Sequence, residues 1–135
     1  MILVDSSAWV EFDRATGSAT DEALTELIRA DGPVAVTEPV VMEVCAGARS
    51  AACEHDLRRL LTRFHLARFD AAADFTAAVT IYRRCRRSGI TPRGLIDCLI
   101  IAVALRHDCE VLAHDRDFAR AAGVVDLRLH EASLT

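Results

Sequence analysis

Four acids occupy positions where a surface acid has no reason to be. Asp5 follows the apolar run Ile2-Leu3-Val4, and Asp115 comes just after a second such run, Val111-Leu112-Ala113. Glu43 shares a helical face with Val40, Val44 and Gly47, so it points where the apolar stripe points. Asp97 is the single charge in the long apolar stretch Leu95 to Leu105. Gathered at one place, such carboxylates repel one another and titrate abnormally unless a cation sits among them. Oxygen ligands without a matching His or Cys cluster suit hard Mg²⁺ or Mn²⁺ better than zinc. A pocket of this kind suits phosphodiester hydrolysis, where the ion generates hydroxide and neutralises the leaving oxygen. Three of these acids also have a plainer reading. Asp5 and Asp97 could cap helix N-termini, and Glu43 could reach solvent from the edge of its stripe.

Composition narrows the chemistry. All sixteen basic residues are arginine, which excludes a Walker-type phosphate loop, Schiff-base chemistry and Ser-Lys dyads. The net charge of -4 argues against a generic nucleic-acid coat protein, but not against a nuclease with its acids in one pocket. The five cysteines are odd in number and widely spaced, and read as small core residues in a reducing cytoplasm. No apolar run approaches the length of a membrane span, so neither an anchor nor a leader is expected.

The elements that must position these acids follow from the patterning. At 135 residues, one domain over 1–135 is expected. Ile2-Leu3-Val4, Val34-Ala35-Val36, part of His65–Phe69, Glu110–Ala113 and Val125–Leu129 read as five short strands. Helices are expected after Asp5, over Glu22–Arg29, after Thr37, over Glu54–Phe64, over Ala71–Arg87, from Leu95 onward, and after Asp115. Within Ala71–Arg87, Phe75, Val79 and Tyr82 are the expected buried anchors. Strands alternating with helices give an α/β fold with a parallel sheet and helices on both faces. Its carboxyl edge is where ligands bind, and both Asp5 and Asp115 leave the sheet there.

Val4-Asp5-Ser6-Ser7, Glu43 on its helix, Leu-Ile-Asp97-Cys-Leu-Ile-Ile-Ala, and Leu112-Ala-His-Asp115-Arg-Asp117-Phe118 together resemble the PIN domain, specifically the VapC-type toxins of bacterial toxin–antitoxin pairs. The resemblance spans nearly the whole chain and implies a five-stranded parallel sheet in the order 3-2-1-4-5, usually dimeric. It implies a Mg²⁺- or Mn²⁺-dependent endoribonuclease that cuts structured RNA, often transfer or ribosomal RNA. A cognate VapB antitoxin, whose tail wraps the toxin and reaches the site, would silence it. By position, Asp5, Glu43, Asp97 and Asp115 match the acidic quartet, Asp117 matches a frequent fifth metal-site acid, and Ser7 matches the hydroxyl beside the first Asp. Ala113 departs from the pattern, standing where many relatives carry Thr or Ser.

Arg93 and Arg116 flank site acids and are expected to hold phosphate, since guanidinium forks match phosphate oxygens. Arg83, Arg84, Arg86 and Arg87 end one helix, either as a solvated, dipole-matched terminus or as an RNA-backbone contact. Two other enzyme readings fail on residues. A dehalogenase-like phosphatase wants an acid at the position of Ser7, and it shares with a receiver domain the need for a lysine that is absent. A PIN-like module that binds RNA or a partner without catalysis remains the alternative, although no acid of the quartet is missing.

Overall fold

The computed structural model describes residues Met1–Thr135. In chain order the elements are β1 (Ile2–Val4), α1 (Ser6–Asp13), α2 (Ala19–Arg29), β2 (Val34–Val36), α3 (Glu38–Ala46) and α4 (Ala51–Leu61). They continue with β3 (His65–Leu66), α5 (Ala71–Arg87), α6 (Leu95–Arg106), β4 (Glu110–Leu112) and α7 (Arg116–Ala122). The sheet is parallel throughout, in the order β3-β2-β1-β4. All three residues of both β1 and β2 are buried, so both sides of the sheet are covered. Going from β1 to β3 the chain moves one way across the sheet, and from β3 to β4 it jumps back past β1. With right-handed crossovers this puts α1–α4 on one face and α5–α6 on the other.

The expected fifth strand does not form. Val125–Leu129 makes only an isolated parallel bridge, Val111 to Leu129. Side-chain chemistry replaces the ladder at this edge. The Ser133 hydroxyl accepts from Ala113 N (3.1 Å) and donates to Val111 O (3.2 Å), while Val111 N–H donates to Arg128 O (2.9 Å). The outer edge of β4 is therefore satisfied by a winding tail, and a buried serine stands in for a strand residue.

Helix α5 is rotated from its expected setting. Phe75 and Val79 are more than half exposed, whereas Asp74, Ala78, Ile81 and Cys85 are buried. Both stripes have helical spacing and differ by about one residue, so periodicity alone does not choose between them. The choice falls to Asp74, whose carboxylate takes Nε (2.9 Å) and Nη2 (2.7 Å) from Arg106 of α6, and to Ala78, which lets the two helices approach. Helix α2 starts earlier than the expected Glu22, capped by Ser18, and Asp21 turns back to accept from Gly17 N (2.9 Å). Ser50 likewise caps α4 ahead of Glu54. The buried apolar residues form one cluster running through the sheet, α1, α3, α5, α6 and α7.

Candidate metal centre at the carboxyl edge of the sheet

Asp5 is the first residue beyond β1, and its backbone N–H donates to Leu112 O (2.9 Å), which holds the exits of β1 and β4 side by side. It caps α1, its Oδ2 accepting from Ser7 N (3.0 Å) and from the Ser7 hydroxyl. Its other oxygen, Oδ1, is buried and has no partner. Cap and site acid are thus one residue using two oxygens. The Ser7 hydroxyl also accepts from His114 N (2.8 Å), so one serine ties the first acid to the loop that carries the last.

The remaining acids arrive from three other segments. Glu43 of α3 accepts from the Ser6 hydroxyl at Oε1 (2.7 Å). Asp97 lies in the first turn of α6 but does not cap it, because Gly94 holds the cap position and no side chain bonds there. Asp115 caps α7, its Oδ1 accepting from Asp117 N (2.9 Å). Asp97, Asp115 and Asp117 each bring an oxygen within 4.8 Å of the others.

Electrostatics reports the same convergence. Burial, and after it the charges of Asp5, Asp115, Glu43 and Asp117, push the Asp97 carboxyl up to about 7. Burial also raises Asp5 to about 6, against the Ser7 hydrogen bonds that pull it down; Glu43 adds to the rise. Asp117 behaves oppositely. Burial would raise it, but hydrogen bonds from Arg93 and Arg120 outweigh that and hold it below the usual carboxylate range. Its Oδ2 takes Arg93 N and Nε (both 3.1 Å) and its Oδ1 takes Arg120 Nη1 (3.0 Å).

Arg93 completes a fork by donating from Nη2 to Asp115 Oδ1 (2.6 Å). Arg116 is exposed and lines an open depression of about 320 Å³ with Arg93, Asp115 and Arg120. The arginines ending α5 are divided: Arg84 donates to Val124 O (3.0 Å) and Arg86 to the Tyr82 hydroxyl (3.3 Å), while Arg83 and Arg87 are exposed and outside every ion pair. His114 turns away from the acids' centre, toward Thr20 (3.1 Å) and Glu11 (3.3 Å). Ala113 is fully buried, with no polar side chain to offer the site.

Two contributors escape a reading of the sequence, Ser6 and Arg120. Arg120 had a local signal, three residues after Asp117 on one helix. Ser6 reaches Glu43 across 37 residues of chain and had none.

The fold and this acid-lined edge define a class. Residues 2–124 match the model of the PIN domain, and the chain belongs to that family. Within it the chain belongs among the VapC ribonucleases. It is 40% identical over 129 residues both to Ribonuclease VapC11 of Mycobacterium tuberculosis and to VapC ribonuclease Mb1587 of Mycobacterium bovis, covering 95% of this chain and 96% of each relative. Among solved structures, VapBC2 from Rickettsia felis bound to a promoter DNA fragment superposes with a TM-score of 0.74 at 17% identity, covering 96% of this chain and 98% of that one. Mycobacterium tuberculosis VapC20, a sarcin–ricin loop cleaving toxin, superposes with a TM-score of 0.66 at 26% identity, covering 95% and 99%.

Proposed function

We propose that residues 1–135 act as one domain, an endoribonuclease toxin of a toxin–antitoxin pair, dependent on Mg²⁺ or Mn²⁺. The observation that carries this is the cluster of Asp97, Asp115 and Asp117 oxygens within 4.8 Å of one another, with Asp5 and Glu43 near enough to act on Asp97 by charge and Asp5 Oδ1 buried without a partner. A buried oxygen without a donor, amid like charges, fits a hard cation better than any protein group. When bound, the ion would supply a hydroxide nucleophile and neutralise the leaving oxygen. The chain does the rest: Ser7 orients Asp5, Ser6 orients Glu43, and the exposed Arg116 fork meets an RNA phosphate at the rim.

Three partners follow. RNA is the substrate, and the sarcin–ricin loop cleaved by the structurally similar VapC20 makes ribosomal RNA the first to test beside transfer RNA. A VapB-type antitoxin is the second. A groove of about 380 Å³ between α1, α3 and α4 is lined by Val10, Val44 and Leu57 together with Ser6 and the site acid Glu43. Trp9 lines it as well. The third is a second copy, covering the face of α5 where Phe75 and Val79 are exposed. The setting is cytoplasmic, which suits five unpaired cysteines and an RNA target.

Cleavage of total RNA by the purified protein, with EDTA and Mn²⁺ arms, tests the function. Asp5→Asn, Glu43→Gln, Asp97→Asn and Asp115→Asn should each lower the rate by roughly a hundredfold or more, in line with the loss of a preorganised charge-stabilising group. Near-normal rates in any two of them would reject the shared pocket. Wild-type protein that binds RNA without metal-dependent turnover would instead be a binding module.

A further inference from the structure

Arg93 occupies an unusual place for a residue at the mouth of an acid-lined pocket. Its guanidinium binds two of the three acids best spaced for a metal, through Nε to Asp117 Oδ2 (3.1 Å) and Nη2 to Asp115 Oδ1 (2.6 Å). Its backbone N–H gives Asp117 a further bond (3.1 Å). Yet its side chain is 73% exposed, on the irregular segment between α5 and α6, so no packing holds the fork inward. The acids alone hold it there. Asp97, the third member of the cluster, receives nothing from it. One guanidinium thus compensates part of the charge that a divalent ion held by these acids would compensate to a greater extent.

We propose that Arg93 is the site's own counter-cation, competing with the divalent ion for Asp115. This rests on the metal-dependent reading above and adds a step to it. In the metal-free protein the fork clamps Asp115 to Asp117 and limits their repulsion. Asp97, Asp115 and Asp117 would hold a divalent ion within a few ångströms of this guanidinium, and the repulsion between the two cations would weaken the Nη2 bond to Asp115. Asp117 is not stranded, because Arg120 keeps its Oδ1 and the Arg93 backbone N–H keeps its Oδ2. The freed fork then faces the depression lined by Arg116 and Arg120.

Titration calorimetry with MnCl₂ on the full-length, metal-stripped protein, without RNA, tests this, paired with melting in EDTA. Arg93→Gln should bind Mn²⁺ roughly tenfold more tightly than wild type, the equivalent of removing one competing charge–charge contact. It should melt lower than wild type in EDTA, and that gap should close as Mn²⁺ saturates. Arg93→Lys keeps the charge but not the fork, so it should fall between the two and serves if the Gln variant does not fold. Equal or weaker Mn²⁺ binding by the variants overturns the counter-cation role while leaving the metal site standing. If no protein, wild type included, binds Mn²⁺, the metal-dependent reading falls and this one with it.

Discussion

At the scale of single residues, Asp97 faces the most opposing charge and the least support. Burial and four neighbouring carboxylates raise it, and no cap bond or arginine lowers it. Replacing it with Asn removes a charge that the metal-free fold must otherwise tolerate. Asp97→Asn should therefore melt higher than wild type in EDTA at pH 8, where Asp97 is ionised, by about 3–6 °C for each kcal/mol relieved. At pH 5, where Asp97 is already protonated, the two should melt alike. The variant should also gain less from Mn²⁺. Ordinary polar substitutions at buried positions lower stability, so a lower melting point for the variant at pH 8 would mean that Asp97 is a structural acid.

Among the elements, the α5–α6 pair shows what one ion pair can decide. Asp74 is buried, accepts two bonds from Arg106 and one from Asp70 N (2.8 Å), and is held below its usual range chiefly by Arg106. Arg106 also donates to Arg68 O (2.6 Å), which fixes the chain between β3 and α5. Asp74→Ala should cost roughly 2–3 kcal/mol, below the figure for a wholly buried pair because the Arg106 side chain is 35% exposed. Urea melts with unchanged slope would report it. Phe75→Ser, on the exposed face of the same helix, should leave monomer stability within about 0.5 kcal/mol. Its effect should appear in the oligomeric state, read by light scattering; a cost comparable with Asp74→Ala would place Phe75 in the core.

For the whole molecule, the acid cluster sets the direction of stability with pH. Asp5 and Asp97 have raised folded-state pKa values, so the folded protein holds their protons more tightly than the unfolded chain does. Stability of the metal-free protein then falls as pH rises from about 4 through 7. Asp5 alone, moved from 3.8 to about 6, accounts for on the order of 3 kcal/mol. Asp74 and Asp117 act in the other direction. Their lowered pKa values stabilise the fold above about 4 and stop doing so as pH falls below it. Melting in EDTA should peak near pH 4–5, and Mn²⁺, which binds the ionised acids, should move the peak toward neutrality. A metal-free optimum at pH 7 would show that the carboxylates do not converge as described.

Much of this architecture was legible because it is local. Three buried residues followed by an acid and two hydroxyls mark both a strand end and a helix cap, and Asp5 is both. The helix holding Asp97 and the odd placement of the four acids needed only apolar runs and helical spacing, whereas the strand order β3-β2-β1-β4 followed from the resemblance to the PIN domain. Tertiary structure decided what spacing leaves open. Two stripes on α5 had equal periodicity, and a distant arginine chose between them. The Val125–Leu129 run had strand composition, but Ser133 took over the edge of β4 where a ladder would have continued. Ser6 on Glu43 and Arg93 on Asp115 join residues 37 and 22 positions apart. Their pairing depends on how whole elements pack, because a sequence pattern specifies which way a side chain faces on its own helix or strand and not which side chain it will meet.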